Sequence, residues 1–341
     1  MPRGAQVSDA AAPAARQDGR VPTDQLRLAE RGLVDGFRRA TALAALAASP
    51  LIGSDDGHAI DALAVQALRS ALGELDVDGV VVVGEGEKDE APMLYVGERF
   101  GRAGRGSPVI DLAVDPVDGT RLAAAGAPGA MAVLAVAPRG ALAALGAAHY
   151  LEKHITWLPD APAGASVGEL VDRIAAARGI AASGVRVAVQ DRPRNEGFVV
   201  EARAAGASVE LFVHGDVERS LRAAGGEAGL DLVSGIGGAP EGVLTAAAVH
   251  ALGGSMWARL APQSRVERAR VLADGLDLDR VWSLGELCGA PAWVFLSAVT
   301  ECAPGDAVMP GVRTRPDGPA IVATWHAGPG VDAMVGEVRV V

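Results

Sequence analysis

The sequence predicts an α/β fold, and three observations carry that prediction. Apolar β-branched runs alternate with helical stretches along the second half of the chain. Hydrophobic residues make up 50% of the chain and aromatics only 4%, so the core must be packed from Ala, Val and Leu. With 341 residues the chain is long enough for one large α/β domain or two smaller ones.

Taken in order, residues 1–24 have no apolar signal-peptide core. They are rich in Ala, Pro, Arg, Asp and Gln and read as a disordered tail. Residues 25–48 read as one helix, with Leu26, Leu33, Val34, Phe37, Leu43 and Leu46 near helical spacing. Residues 51–57 form a loop by their Gly and Asp content. A second helix covers 59–72, where Asp61 shares a face with Val65, Leu68 and Leu72. A carboxylate on an apolar stripe in a first turn is either a helix-start charge or a buried ligand. Strands follow at 79–84, 109–114 and 131–136. Further strands are expected at 185–189, 209–213, 231–236 and 292–298, and helices at 196–205, 217–223 and 241–252. Such alternation implies parallel βαβ units, with ligands beyond the carboxyl ends of the strands. No internal repeat of fixed period is evident.

The formal charge of −11 argues against a general nucleic-acid surface. An acidic protein still binds an anion where metals and a few Arg residues reverse the sign locally. The longest apolar run beside a basic pair, 40–53, falls short of the roughly 20 residues a membrane-spanning helix needs. Cys288 and Cys302 are the only cysteines. They give neither a disulfide framework nor zinc spacing, and a reducing cytoplasm is the expected location. Cys302 has no evident His partner, which speaks against a thiol nucleophile.

The chemistry concentrates at strand ends. Asp115-Pro116-Val117-Asp118-Gly119-Thr120 closes one apolar run, and Gly84-Glu85-Gly86-Glu87-Lys88-Asp89-Glu90 closes another. Crowded carboxylates repel one another unless they are protonated or share cations. A hard-metal site, Mg²⁺ or Mn²⁺, built to receive a phosphate accounts for both segments. Thr120 then orients a water or contacts the phosphate. The plain alternatives are a capped turn and a solvated acidic loop. Gly235-Ile236-Gly237-Gly238-Ala239-Pro240-Glu241-Gly242 sits between a strand and a helix, where backbone N–H groups favour an anion or Glu241 reaches a cation. It is not a Walker loop, since no Lys-Ser/Thr follows. Arg192-Pro193-Arg194 follows a strand and suits a second phosphate, or is surface charge. His214-Gly215-Asp216 closes the next strand, placed to bond a sugar hydroxyl. An isolated histidine of this kind is more often structural than catalytic.

These residues, in this order, resemble the class II, GlpX-type fructose-1,6-bisphosphatases, within the wider lithium-sensitive, metal-dependent sugar phosphatases. The resemblance runs from about Arg27 to about Val312 and is densest over 81–120 and 235–242. Gly84-Glu85-Gly86-Glu87, Asp89-Glu90-Ala91-Pro92-Met93-Leu94-Tyr95 and Gly237-Gly238-Ala239-Pro240-Glu241-Gly242 carry it. It implies a layered αβαβα fold with two mixed sheets, Mg²⁺ or Mn²⁺ as cofactor, and release of the 1-phosphate from fructose 1,6-bisphosphate in carbohydrate metabolism. It places metal ligands on Asp61, Glu85, Asp115, Asp118 and Glu241, and water activation on the acidic loop, where Asp89 or Glu87 would accept the proton of the attacking water. Substrate contacts fall on Asp118, Gly119 and Thr120, on Tyr150 of Tyr150-Leu151-Glu152-Lys153, and on Arg192, Pro193 and Arg194. His214, Gly215, Asp216 and Gly238 complete them. The implied organisation is a metal-binding half over 25–155 and a second half over 156–341 that completes the site. Self-association into dimers or tetramers is implied too.

The chain departs from the family at five points, one of them a short C-terminal part, after about Gly311, without a clear family pattern. Asp55-Asp56-Gly57 stands where members carry Gly-Asp-Lys, and Asp118 where many have Glu. Arg192-Pro193-Arg194 replaces Lys-Pro-Arg, and His214-Gly215-Asp216 replaces Asp-Gly-Asp. The last change leaves sedoheptulose 1,7-bisphosphate, an inositol phosphate or another sugar phosphate as alternative substrates. The missing Lys leaves a weakly active paralogue that binds sugar phosphates as a further alternative.

Overall fold

A computed structural model describes residues 28, 32–84, 94–226, 229–316 and 318–340. The N-terminal tail and most of the acidic loop lie outside these residues. The helices are α1 (Leu33–Ala48), α2 (Gly57–Gly73), α3 (Thr120–Ala124), α4 (Val167–Arg178), α5 (Glu196–Ala204), α6 (Asp216–Gly225), α7 (Ala239–Leu252), α8 (Arg265–Ala273) and α9 (Leu284–Leu287). The strands are β1 (Asp78–Val83), β2 (Arg99–Phe100), β3 (Val109–Asp118), β4 (Met131–Pro138), β5 (Tyr150–Thr156), β6 (Arg186–Gln190) and β7 (Ser208–Phe212). They continue with β8 (Leu232–Gly238), β9 (Ser255–Leu260), β10 (Val281–Ser283), β11 (Trp293–Ala298), β12 (Arg313–Arg315), β13 (Gly318–Gly328) and β14 (Val331–Val340).

An eight-stranded sheet runs β12-β13-β11-β4-β3-β1-β2, with β14 paired to β13. A six-stranded sheet runs β10-β9-β5-β8-β6-β7. Helices α1 and α2 cover the outer face of the first sheet, and α4 and α5 lie against β8, β6 and β7 of the second. Between the sheets sit α6 and α7. Helix α7 touches β1, β3, β4, β11 and β13 on one side and β5, β8 and β9 on the other. The arrangement is therefore the layered αβαβα fold with two mixed sheets.

The packing explains the composition. Every residue of β4 is buried, because both faces of the first sheet are covered. Met131, Val133, Ala135 and Ala137 point to the core between the sheets, and Ala132, Leu134 and Val136 to the core under α1 and α2. Helix α7 is apolar on all sides, as a helix held between two sheets must be. Its Ala246, Ala247 and Ala248 let the sheets approach closely. Among the described residues no helix is long and apolar enough to cross a membrane.

Three local expectations need correction. Parallel pairing is confined to β1–β3, β6–β7 and β6–β8, and the other pairs are antiparallel. The first helix begins at Leu33, after Gly32 with φ 66, whereas continuous helical spacing suggested an earlier start. Pro116 lies inside β3, not just beyond it. The strand survives because its register shifts between Asp115 and Asp118, where a proline without an N–H is tolerated.

Candidate active site

The ends of strands from both sheets open onto one cleft of about 1230 Å³. From the first sheet, β3 delivers Asp118, and Gly119 turns the chain with φ 79 so that Thr120 starts α3. A Cβ at Gly119 would approach the Gly129 carbonyl to 3.1 Å, so both conformation and space require glycine there. From the second sheet come Arg192 and Arg194 after β6, and His214, Gly215 and Asp216 after β7. Gly238 ends β8, and Glu241 lies in the first turn of α7. Tyr150 opens β5 directly opposite Gly238. All of these site residues line the cleft, whereas Pro193, between the two arginines, does not. Asp115 and Glu241 face a smaller adjoining cavity of about 160 Å³, together with Gly84.

Asp61 reaches the site from α2. The Thr120 hydroxyl lies 2.8 Å from Asp61 Oδ1 and 2.8 Å from the Val117 carbonyl. Burial pushes the Asp61 carboxyl above its ordinary value, while Thr120 and His58 pull it back. Asp115 Oδ1 accepts from the Val117 N–H at 3.1 Å, which fixes its side chain across the β3 irregularity.

Negative charge is concentrated where the sheets meet. Asp118 is only 7% exposed, and its Oδ2 has no hydrogen-bond partner among the described residues. Burial, then the neighbouring charges of Asp216 and Glu241, push its carboxyl well above the ordinary range. Burial and Asp216 likewise raise Glu241. The opposing cation is Lys153 on β5, whose Nζ lies 2.6 Å from Asp216 Oδ2. Glu218 stands at the edge of this group, where it accepts from the Ala303 N–H at 2.8 Å and pairs with Arg219 at 2.8 Å.

The far wall is basic. Arg192 Nη2 donates to the Val213 carbonyl at 2.8 Å and lies 3.3 Å from His214 Nδ1. Burial, with the charges of Arg192 and Arg121, holds His214 below its ordinary value and therefore neutral at pH 7. Nδ1 faces the guanidinium as acceptor, which leaves the ring proton on Nε2. Arg121 lines the same cleft from α3. Arg194 is occupied by the protein: it donates to the Ile236 carbonyl at 3.0 Å and to Gln190 Oε1 at 3.2 Å, and it stacks on the Tyr150 ring at 4.9 Å. Asn195 accepts from the Ile236 N–H at 2.7 Å and donates to the Gln190 carbonyl at 3.0 Å, clamping the ends of β6 and β8 together.

The fold thus gathers Asp118, Gly119, Thr120, Tyr150, Arg192, Arg194, His214, Gly215, Asp216, Gly238 and Glu241 on one cleft, with Asp61 behind Thr120 and Asp115 beside Glu241. Pro193 opens the short turn Pro193–Asn195 that aims the two arginines. Glu85, Glu87 and Asp89 lie outside the described residues. Among the described residues, no three His, Cys, Asp or Glu side chains form a group that could hold a metal ion. Sequence reasoning did not assign Lys153, Arg121 or Asn195 a role. Lys153 had a readable signal, a lysine three residues into a segment that begins with Tyr150-Leu151. Asn195 had none, because its role is to join two distant loops.

Comparison with known proteins identifies the family. A model of the bacterial fructose-1,6-bisphosphatase family encoded by glpX matches residues 31–327. The chain is 37% identical over 303 residues to fructose-1,6-bisphosphatase 1 class 2 of Escherichia coli K12, covering 84% of this chain and 88% of the relative. It is 34% identical over 308 residues to a D-fructose 1,6-bisphosphatase class 2/sedoheptulose 1,7-bisphosphatase of Prochlorococcus marinus MIT 9303, covering 84% and 90%. With the family model matched along most of its length and relatives at 34–37% identity, the chain belongs to the bacterial, glpX-type fructose-1,6-bisphosphatases, phosphoric monoester hydrolases.

Proposed function

We propose that this chain releases the 1-phosphate of fructose 1,6-bisphosphate by attack of a water activated by Mg²⁺ or Mn²⁺. The observation that carries the proposal is uncompensated buried acid. Among the described residues Asp118 Oδ2 is enclosed without a partner, and Asp118, Glu241 and Asp216 act on one another with the Lys153 ammonium beside them. Such a donor set fits hard divalent cations, and Asp61, Glu85, Asp115, Asp118 and Glu241 are the residues that would hold them. Bound there, the ions supply charge neutralisation at the phosphoryl oxygens and a water of lowered pKa.

The chain's own groups do the rest. Thr120 positions Asp61 through its hydroxyl and presents the first turn of α3 to the phosphoryl group. Asp89, or Glu87, accepts the proton of the attacking water. Arg192 and Arg121, with the Nε2–H of His214, hold the distal phosphate. Arg194 orients the Tyr150 ring against which the sugar lies. A phosphate-release screen over sugar phosphates, with Mg²⁺ and Mn²⁺ compared, tests the reading. Release from fructose 1,6-bisphosphate, abolished in Asp115→Ala with the circular dichroism unchanged, is the expected result. No release from any sugar phosphate refutes it.

Sedoheptulose 1,7-bisphosphate is the second substrate to test. The Prochlorococcus relative is named for both activities. Side-by-side kcat/KM values decide between them. We place the enzyme in the cytoplasm, consistent with two free, buried thiols, and expect a dimer or tetramer, to be checked by light scattering.

A further inference from the structure

We propose that Lys153 is a resident counter-cation of the acidic cluster: it fixes Asp216, and by like-charge repulsion it weakens the hold of Asp118 and Glu241 on divalent ions. The inference rests on the metal-dependent reading above.

Lys153 is 2% exposed on a central strand of the second sheet. A buried ammonium is costly unless it is paired, and its partner is Asp216 at 2.6 Å. The backbone is shaped around the pair. A Cβ at Gly237 would lie 2.6 Å from Asp216 Oδ2 and 3.5 Å from Lys153 Nζ. Alanine there would therefore displace the carboxylate from the ammonium. The same ammonium acts on Asp118 and Glu241. Without a divalent ion it is a positive charge that keeps these carboxylates from driving the strand ends apart. With such an ion it is a positive charge held close to another, so the ion binds less tightly than the carboxylates alone would allow. Lys153 is a positioning residue in this account, since it acts on the reaction through Asp216 and the cluster.

The test compares wild type with Lys153→Met and Lys153→Gln. Mn²⁺ and Mg²⁺ are titrated calorimetrically into chelator-stripped protein, and Tm is measured with and without metal. The variants are expected to bind metal about tenfold tighter or more. They should melt lower than wild type when stripped, show a larger rise in Tm on adding metal, and turn over more slowly because Asp216 loses its partner. Unchanged or weaker metal binding overturns the proposal. So does failure of both variants to fold with Mn²⁺ present, because Lys153 would then be a folding requirement. A wild-type protein that binds no divalent ion refutes the metal-dependent reading itself. Wild-type binding with unaltered variants refutes this inference alone.

Discussion

Replacing Thr120 with Val removes one oxygen and nearly nothing else. Both side chains are β-branched, so the first turn of α3 keeps its shape. What is lost is the hydroxyl that stands 2.8 Å from both Asp61 Oδ1 and the Val117 carbonyl. It has one proton, and the carboxylate is the stronger acceptor. A hydrogen bond to a charged group contributes about 1.5–3 kcal/mol. At about 1.4 kcal/mol per factor of ten, kcat/KM should fall roughly 10- to 150-fold. The pH profile should move as well. Thr120 pulls the Asp61 carboxyl down against burial. Without it Asp61 takes up a proton at higher pH, so the acid limb of the activity profile shifts upward. Phosphate release from about pH 5 to about pH 9 is the assay, with Thr120→Ser as the control that keeps the hydroxyl. A valine variant within about threefold of wild type, with its acid limb unmoved, would sink the argument.

Asp118→Asn removes one of several like charges, so chelator-treated protein should gain about 2 °C or more in Tm while phosphate release falls to background. Calorimetry and a release assay check the two halves. Arg121→Ala should raise KM for a bisphosphate about tenfold and leave a monophosphate nearly unaffected; equal losses would remove Arg121 from the distal subsite. Asp61, Asp118 and Glu241 all sit above their ordinary values. The folded state then holds their protons more tightly than the unfolded state does. Their contribution is most favourable at low pH and is lost as pH rises through the raised values. Subtracting metal-loaded from chelated Tm across pH isolates that loss. Leu244→Ala, in the fully buried middle of α7, should destabilise the fold by about 2–5 kcal/mol, measured by urea unfolding.

Much of this was legible in the sequence, for a physical reason. Strands buried on both faces read as continuous apolar runs, and β3, β4 and β11 emerged that way. Strands β1, β6, β7 and β8 were legible from their apolar residues too, although β7 is a half-exposed edge strand. Strand β5 did not. Its sequence Tyr150-Leu151-Glu152-Lys153-His154-Ile155-Thr156 looks polar, yet Lys153 and His154 are buried. The polarity is answered by partners far along the chain, Asp216 for Lys153 and Ser234 for His154. No local pattern records such pairings. Helix α4 did carry a local signal, the Ser166–Glu169 capping box, which the sequence reading passed over. The hairpin of β13 and β14 went unread because β14 is largely exposed and mixes charged with apolar residues. At the site, the motif residues within the described part of the chain gather on or beside one cleft, while Glu85, Glu87 and Asp89 lie outside the described residues. Arg194 is held by Gln190, Ile236 and Tyr150, which come from separate strands, so no local pattern records them.

The small-residue core and the charged site have one cause. Helix α7 is pressed between two sheets and is built largely of Ala and Val, so the layers close tightly around it. Its first turn must then emerge where the end of β8 meets the end of β3. Glu241 therefore stands beside Asp115 in one cavity and beside Asp118 in the cleft. A looser core of large aromatics would hold the sheets farther apart and separate these carboxylates. Tight layering brings acids together that repel in isolation, and that repulsion draws in cations. On the metal-dependent reading proposed above, such cations would let a protein of net charge −11 receive a doubly phosphorylated sugar. On this argument, enlarging Ala247 at the centre of α7 should weaken metal binding before it unfolds the protein. Ala247→Leu that kept wild-type metal affinity while losing stability would uncouple core from site.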